Sequence, residues 1–158
     1  MTITYEGATE QVRQIVHHHA VLRRGLERRV GTVCDAAASG VPCQRQVAIL
    51  RGYLGEEILP HADAEERTLC RAAATQARGS ELVRALIHEH RELACMAGRL
   101  RPGVDGGEAA TLAEWTATLF AGHVARVNEL LLPALTGSGA DLAALLAGMH
   151  APQASAQA

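Results

Sequence analysis

Apolar residues recur every three or four positions in four long segments of the chain. The segments run from about residue 8 to 38, 43 to 77, 80 to 100 and 108 to 135. Because this spacing places the apolar side chains on one face of a helix, each segment is predicted to be an amphipathic helix with a buried face. In the fourth segment, the face predicted to be buried includes Trp115 and Leu130.

Short stretches containing glycine or proline separate the four segments. They read AASGVP at 37–42, RGSE at 78–81 and RPGVDGG at 101–107. Such residues end one helix and begin the next. After the fourth segment, DLAALLAG at 141–148 predicts a short additional helix. The pattern favours an all-α fold, an up-down-up-down four-helix bundle over residues 1–150, followed by a flexible tail at 151–158.

Composition and charge narrow the function classes. Apolar residues make up 48% of the 158 residues, which is enough for one domain with its own core. The 15 basic and 17 acidic side chains are interspersed, which argues against a nucleic-acid partner. No apolar stretch approaches the roughly 20 residues of a membrane span, and the first residues do not resemble a leader. We therefore expect a soluble, cytoplasmic protein without a membrane partner.

The four cysteines are scattered and form no CxxC pair. They are expected to be small buried side chains, because a reducing cytosol disfavours disulfides and structural zinc sites bring paired ligands. Cys34 and Cys43 flank one predicted turn and could approach each other.

Each predicted helix carries one histidine within its apolar face. These are His19, His61, His90 and His123. A single histidine in such a place is usually a core residue with its hydrogen bonds satisfied. Four buried imidazoles, however, leave many ring nitrogens to satisfy, and each one without a partner costs about 1–3 kcal/mol. A metal ion resolves this, because each ring gives one nitrogen to the ion and the other to a neighbouring acceptor.

Glu65 follows His61 by four residues, so both side chains project from the same face of the second helix. The pair suits a hard or borderline metal ion, although a solvated acid is the common alternative at this spacing. Glu66 rotates off that face and is expected to be solvated, as is His88. Glu57 is a further candidate ligand, with a solvated acid or an acceptor for a ligand as the favoured alternatives. Pro60 lacks a backbone N–H, which predicts a kink or bulge immediately before His61.

The chain resembles the hemerythrin-like, HHE cation-binding family from about residue 10 to 136. The resemblance is carried by HHHAVLRRGLERRV at 17–30, EEILPHADAEERTL at 56–69, EHRELA at 89–94 and HVARVNELLLPAL at 123–135. It implies a four-helix bundle with a non-haem diiron centre that binds or senses oxygen, or reacts with oxygen, peroxide or nitric oxide. Position by position, it implies that the ligands are His19, His61, Glu65, His90 and His123. His18 is an alternative to His19, because the phase of a helix can drift by one residue.

The sequence departs from this family at the fourth helix. Many members place a bridging Glu four residues after the fourth-helix histidine, where this chain has Val127. Oxygen carriers place an acid one residue later, where Asn128 is a neutral and weaker candidate ligand, and they have a second histidine at the position of Leu86. We therefore expect two unequal half-sites, with the better one formed by His19, His61 and Glu65.

The leading hypothesis is an iron protein with one or two non-haem ions that binds or senses oxygen or a related small molecule. The alternatives are an enzyme that activates oxygen to oxidise a small substrate, and an interaction module that is metal-free or binds zinc. Zinc is the main rival metal, because histidine and glutamate also bind it well.

Overall fold

The computed structural model describes residues 5–76 and 79–150, and it is all-α with no strand in those residues. The five helices are α1 (Tyr5–Ala38), α2 (44–74), α3 (Gly79–Arg99), α4 (106–137) and α5 (Leu142–His150). Outside the described residues lie the tail at 151–158, residue 77 at the end of the second predicted helix, and residue 78 in the loop that follows it. None of the described helices has the length and apolarity of a transmembrane span.

The four long helices form the predicted bundle. Helix α1 packs between α2 and α4, and α3 closes the ring by packing against the same two helices. Helix α1 ends before Gly40, whose φ of 66° is a left-handed conformation that glycine adopts without strain. Helix α4 begins after Asp105, whose carboxylate accepts hydrogen bonds from the backbone N–H groups of Gly107 and Glu108.

Two of the long helices contain wider π-helical turns. These are Leu54–Ile58 and Glu66–Cys70 in α2 and Val127–Leu131 in α4. Near these turns, buried residues are spaced four positions apart. In an ideal α-helix, each step of four residues would turn the buried face by about 40° around the helix axis. The wider turns offset this rotation and keep the same face inward. The first of them confirms the distortion predicted before His61.

The core consists of two apolar clusters separated along the bundle. The larger one lies towards the α1–α2 and α3–α4 loops and includes Leu26, Leu50, Leu54, Leu93 and Phe120. The smaller one includes Ile15, Leu69, Leu86 and Val127, and α5 packs on it through Leu142 and the partly buried Leu145, Leu146 and Met149. A layer of polar side chains lies between the two clusters.

The cysteines do not share one environment. Cys43 and Cys70 are buried as expected, whereas Cys34 is partly buried and Cys95 is exposed. Burial raises the pKa of the Cys70 thiol to about 12, and the nearby carboxylates of Glu65 and Glu66 act in the same direction. The prediction of buried cysteines was therefore wrong for Cys95, which lies on the outer face of α3.

Candidate metal centre

The polar layer brings together one histidine from each long helix and one glutamate. These residues are His19 on α1, His61 and Glu65 on α2, His90 on α3 and His123 on α4, and none is more than 8% exposed. Along its own helix, each of them lies between residues of the two apolar clusters. The helical register, together with the wide turns in α2 and α4, therefore points all five side chains to the bundle axis.

Glu65 lies at the centre of this group. Its Oε1 atom is 3.1 Å from Nε2 of His19 and 3.3 Å from Nε2 of His61. Its Oε2 atom is 2.9 Å from Nε2 of His123 and 3.3 Å from Nε2 of His90. Each carboxylate oxygen therefore faces one pair of imidazoles, and a single side chain links the two pairs.

The two halves of the group offer the same donors. One set of ligand atoms comes from His19, His61 and Glu65 and the other from Glu65, His90 and His123, and within each set the atoms lie within 4.8 Å of one another. The expectation of unequal half-sites was therefore wrong for the donor sets themselves. That expectation assigned Glu65 mainly to the ion bound by His61. In the structure, one oxygen of Glu65 faces each pair of histidines.

The protonation of the group follows from its burial and its contacts. Burial alone would raise the pKa of Glu65, but the four surrounding imidazoles, led by His123 and His19, hold it well below its ordinary value. Burial alone would lower the pKa of His123, but its contacts with Glu65 and Glu89 raise it to about 9. A metal ion would take the place of such protons, because it needs the same nitrogen lone pairs.

In three of the four imidazoles, the ring nitrogen that points away from Glu65, Nδ1, contacts a polar side chain. Nδ1 of His19 donates to Oδ1 of Asn128 at 2.7 Å, and Nδ1 of His90 is 2.8 Å from Oε1 of Glu66. These contacts leave Nε2 of each ring turned towards Glu65. The structure therefore gives Asn128 and Glu66 a role that differs from the expected one. Asn128 lies behind a candidate ligand rather than beside it, and Glu66 is paired rather than solvated.

Glu89 completes this outer layer, and the sequence did not reveal it. Its Oε2 is 3.1 Å from Nδ1 of His123, and its Oε1 contacts the guanidinium of Arg126. Although Glu89 is only 7% exposed, it lies three residues after Leu86, at the edge of the apolar face. That position is the one signal that could have drawn attention to it.

The remaining candidates lie outside the centre. Val127 is fully buried in the smaller apolar cluster, one turn after His123. Glu57 is exposed in the wide turn at Leu54–Ile58 and belongs to neither ligand group, which agrees with the favoured alternative of a solvated acid. His18 is also exposed, and its ring centre lies 5.0 Å from that of His61. Burial and the neighbouring histidines lower its pKa to about 4.

Nε2 of His61 supports a metal site most directly. It is buried and directed towards Glu65, yet it makes no hydrogen bond, because its approach to Oε1 lacks the geometry of one. A buried ring nitrogen without a partner costs free energy, which a bound cation would recover. The residues present therefore fit a metal ion held by imidazole and carboxylate.

Comparison with known proteins points to the same chemistry. The family model described as the hemerythrin HHE cation binding domain matches residues 11–135. Neither the curated proteins nor the solved structures contain a significant match to the chain.

Proposed function

Because the chain belongs to the hemerythrin HHE cation-binding family, we propose that it binds iron between its four long helices and uses it to bind or sense oxygen, peroxide or nitric oxide. The observation that carries this proposal is the arrangement around Glu65, whose two oxygens each face a pair of imidazoles. We propose His19, His61, Glu65, His90 and His123 as the ligands.

The donor set is compatible with iron. Two imidazoles and one carboxylate per ion, with further positions open, form the set typical of non-haem iron that handles oxygen. When bound, iron would supply a redox-active ion with open coordination positions. Zinc accepts the same ligands, so the preference for iron rests on the family.

The residues around the ligands prepare the site for such an ion. Asn128, Glu66 and Glu89 fix the rings of His19, His90 and His123 through their outer nitrogens, and this orientation leaves Nε2 free to bind. The two apolar clusters exclude water from both ends of the layer. An ion held there is therefore shielded from bulk solvent along the bundle axis.

Charge limits how many ions the ligands hold tightly. Glu65 is the sole carboxylate among the proposed ligands, whereas two divalent ions would bring four positive charges to a buried site. We therefore propose that one ion binds tightly and a second binds more weakly, despite the equal donors of the two halves.

An oxygen-activating enzyme is the second candidate, and a cavity favours it. A space of about 450 Å³ lies between α1, α2 and α5, and His61 forms part of its wall. This volume could hold a small substrate next to the proposed ion. Unlike a carrier or sensor, such an enzyme would consume its substrate.

Anaerobic loading with Fe(II), followed by exposure to oxygen, peroxide or nitric oxide, tests the proposal. A carrier or sensor should show new visible absorption that reverses when the added oxygen, peroxide or nitric oxide is removed. An enzyme should instead turn over oxygen only with a substrate present. No spectral response to any of the three molecules would contradict a carrier or sensor. Protein that retains no iron after loading would contradict both candidates and favour an interaction module.

A further inference from the structure

A row of imidazoles leads from the protein surface to the metal centre. The ring centres of His150 and His18 are 6.5 Å apart, those of His18 and His61 are 5.0 Å apart, and those of His61 and His19 are 5.0 Å apart. His150 and His18 are exposed, whereas His61 and His19 are buried. The row therefore joins solvent to one half of the proposed site.

The outer part of this row lines the cavity between α1, α2 and α5. Glu56 and Glu57 line the same cavity and carry negative charge, which raises the local concentration of cations. Carboxylates and imidazoles are the side chains that bind iron and zinc. The wall of the cavity is thus suited to a metal ion before the ion reaches the centre.

The other four proposed ligands are less exposed than His61, the next most exposed being His90 at 5%. His19 and Glu65 are fully buried, and His123 is 1% exposed. The apolar clusters cover the layer from both ends of the bundle. His61, at 8%, is the most exposed of the five proposed ligands, and it faces the cavity.

We propose that His150 and His18 form an entry site that captures a divalent metal ion and passes it through His61 to the buried centre. The inference rests on the proposed function, because it requires a metal to be delivered. Two imidazoles that share an ion with metal–nitrogen bonds of about 2.1 Å have ring centres about 5–6.5 Å apart. The three successive separations in the row match this range.

The geometry also explains how an ion could advance. His18 belongs to the first two pairs and His61 to the last two, so the ion exchanges one ligand at a time and keeps the other. Two imidazoles bind an ion more weakly than the full set around Glu65, so transfer proceeds inward. No covalent or redox step is involved, because the ion keeps its charge throughout.

The test is the rate at which the metal-free protein takes up Fe(II) under anaerobic conditions. In the double variant His18→Ala, His150→Ala the rate should fall severalfold, because both imidazoles of the entry site are lost while the carboxylates of Glu56 and Glu57 remain. The iron content at equilibrium should stay that of the wild type. His88→Ala, which removes an exposed histidine on α3 outside the cavity, should load at the wild-type rate.

Three results would overturn the inference. An unchanged rate in the double variant would show that ions enter elsewhere, and an equal slowing in His88→Ala would show a nonspecific effect. A lower iron content at equilibrium would place His18 or His150 in the binding site itself. Circular dichroism confirms that the variants fold, and wild-type protein that takes up no Fe(II) would contradict the proposed function as well.

Discussion

Glu65 and the four imidazoles around it show how single residues define the candidate centre. Glu65 is fully buried, and burying a charge is costly unless partners compensate for it. Here four ring nitrogens lie within 3.3 Å of its two oxygens. Removing one imidazole therefore affects both the charge balance and the ligand count of its half of the site.

His61→Ala should abolish most metal binding in its half of the centre. The variant loses the one proposed ligand that has an unpartnered buried nitrogen and that also faces the cavity. His88→Ala is the matched control, because His88 is exposed on the outer face of α3. Iron per chain after anaerobic loading measures the effect, and equal iron in the two variants would show that the ligand assignment is wrong.

Glu89→Gln should weaken metal binding about 10–100-fold, the usual effect of losing a partner behind a ligand. The substitution removes the carboxylate that orients the ring of His123. Glu92→Gln, one turn further along α3 and only partly buried, should leave the affinity unchanged. Competition with a chelator of known affinity gives the comparison, and matched affinities would argue against an orienting role.

The sequence predicted the five inward residues but not the side chains that contact the outer nitrogens of the histidines. His19, His61, His90 and His123 stand out because each interrupts an apolar face on its own helix. The contact between His123 and Glu89 instead depends on how α3 and α4 are rotated against each other. Periodicity within one helix carries no information about that rotation.

At the scale of the helices, packing depends on how closely α1 and α2 approach each other. Tyr53 on α2 donates its hydroxyl hydrogen to the backbone oxygen of Leu22 at 3.0 Å, and Arg29 lies over its ring at 4.0 Å. Gly25 makes room for this ring, because a Cβ atom at that position would overlap the Tyr53 hydroxyl. The close approach also fixes where α1 presents its residues to α2.

Gly25→Ala should therefore destabilise the protein by about 1–3 kcal/mol, the usual cost of overpacking. Gly31→Ala lies on the same helix where an added Cβ would meet nothing within 4 Å. It should stabilise the protein by about 0.5–1 kcal/mol, since alanine favours helix over glycine. Chemical denaturation of the two variants gives the comparison, and a stabilised Gly25→Ala would show that Tyr53 moves aside without cost.

The helices themselves were largely predictable, and the wide turns account for only part of the exceptions. Pro60 indicated the distortion before His61, but no comparable signal was recognised for Glu66–Cys70 or Val127–Leu131. Trp115 and Leu130 were predicted to be buried, yet they are 64% and 53% exposed. Leu130 lies within the wide turn at Val127–Leu131, where the rotation per residue differs from that of an α-helix. Trp115 lies in the regular part of α4, where the neighbouring Thr116 is buried instead.

At the scale of the whole molecule, we expect the balance of charge in the layer to decide how many ions the bundle can hold. Val127→Glu would add a second carboxylate one turn after His123, and the iron content should rise towards two per chain. Val127→Gln is the matched control, because it has nearly the same shape without the charge. If both variants bound as much iron as the wild type, charge would not limit the second ion.

Each of the four long helices places a histidine next to Glu65. The most direct test is therefore an anaerobic Fe(II) titration of the metal-free protein and of its Glu65→Gln variant. Glutamine keeps the size of the side chain but replaces one carboxylate oxygen with an amide nitrogen that cannot ligate. The wild type should bind at least one iron tightly per chain, and the variant should bind almost none. Equal binding by the two proteins, or no binding by the wild type, would contradict a metal centre built around this carboxylate.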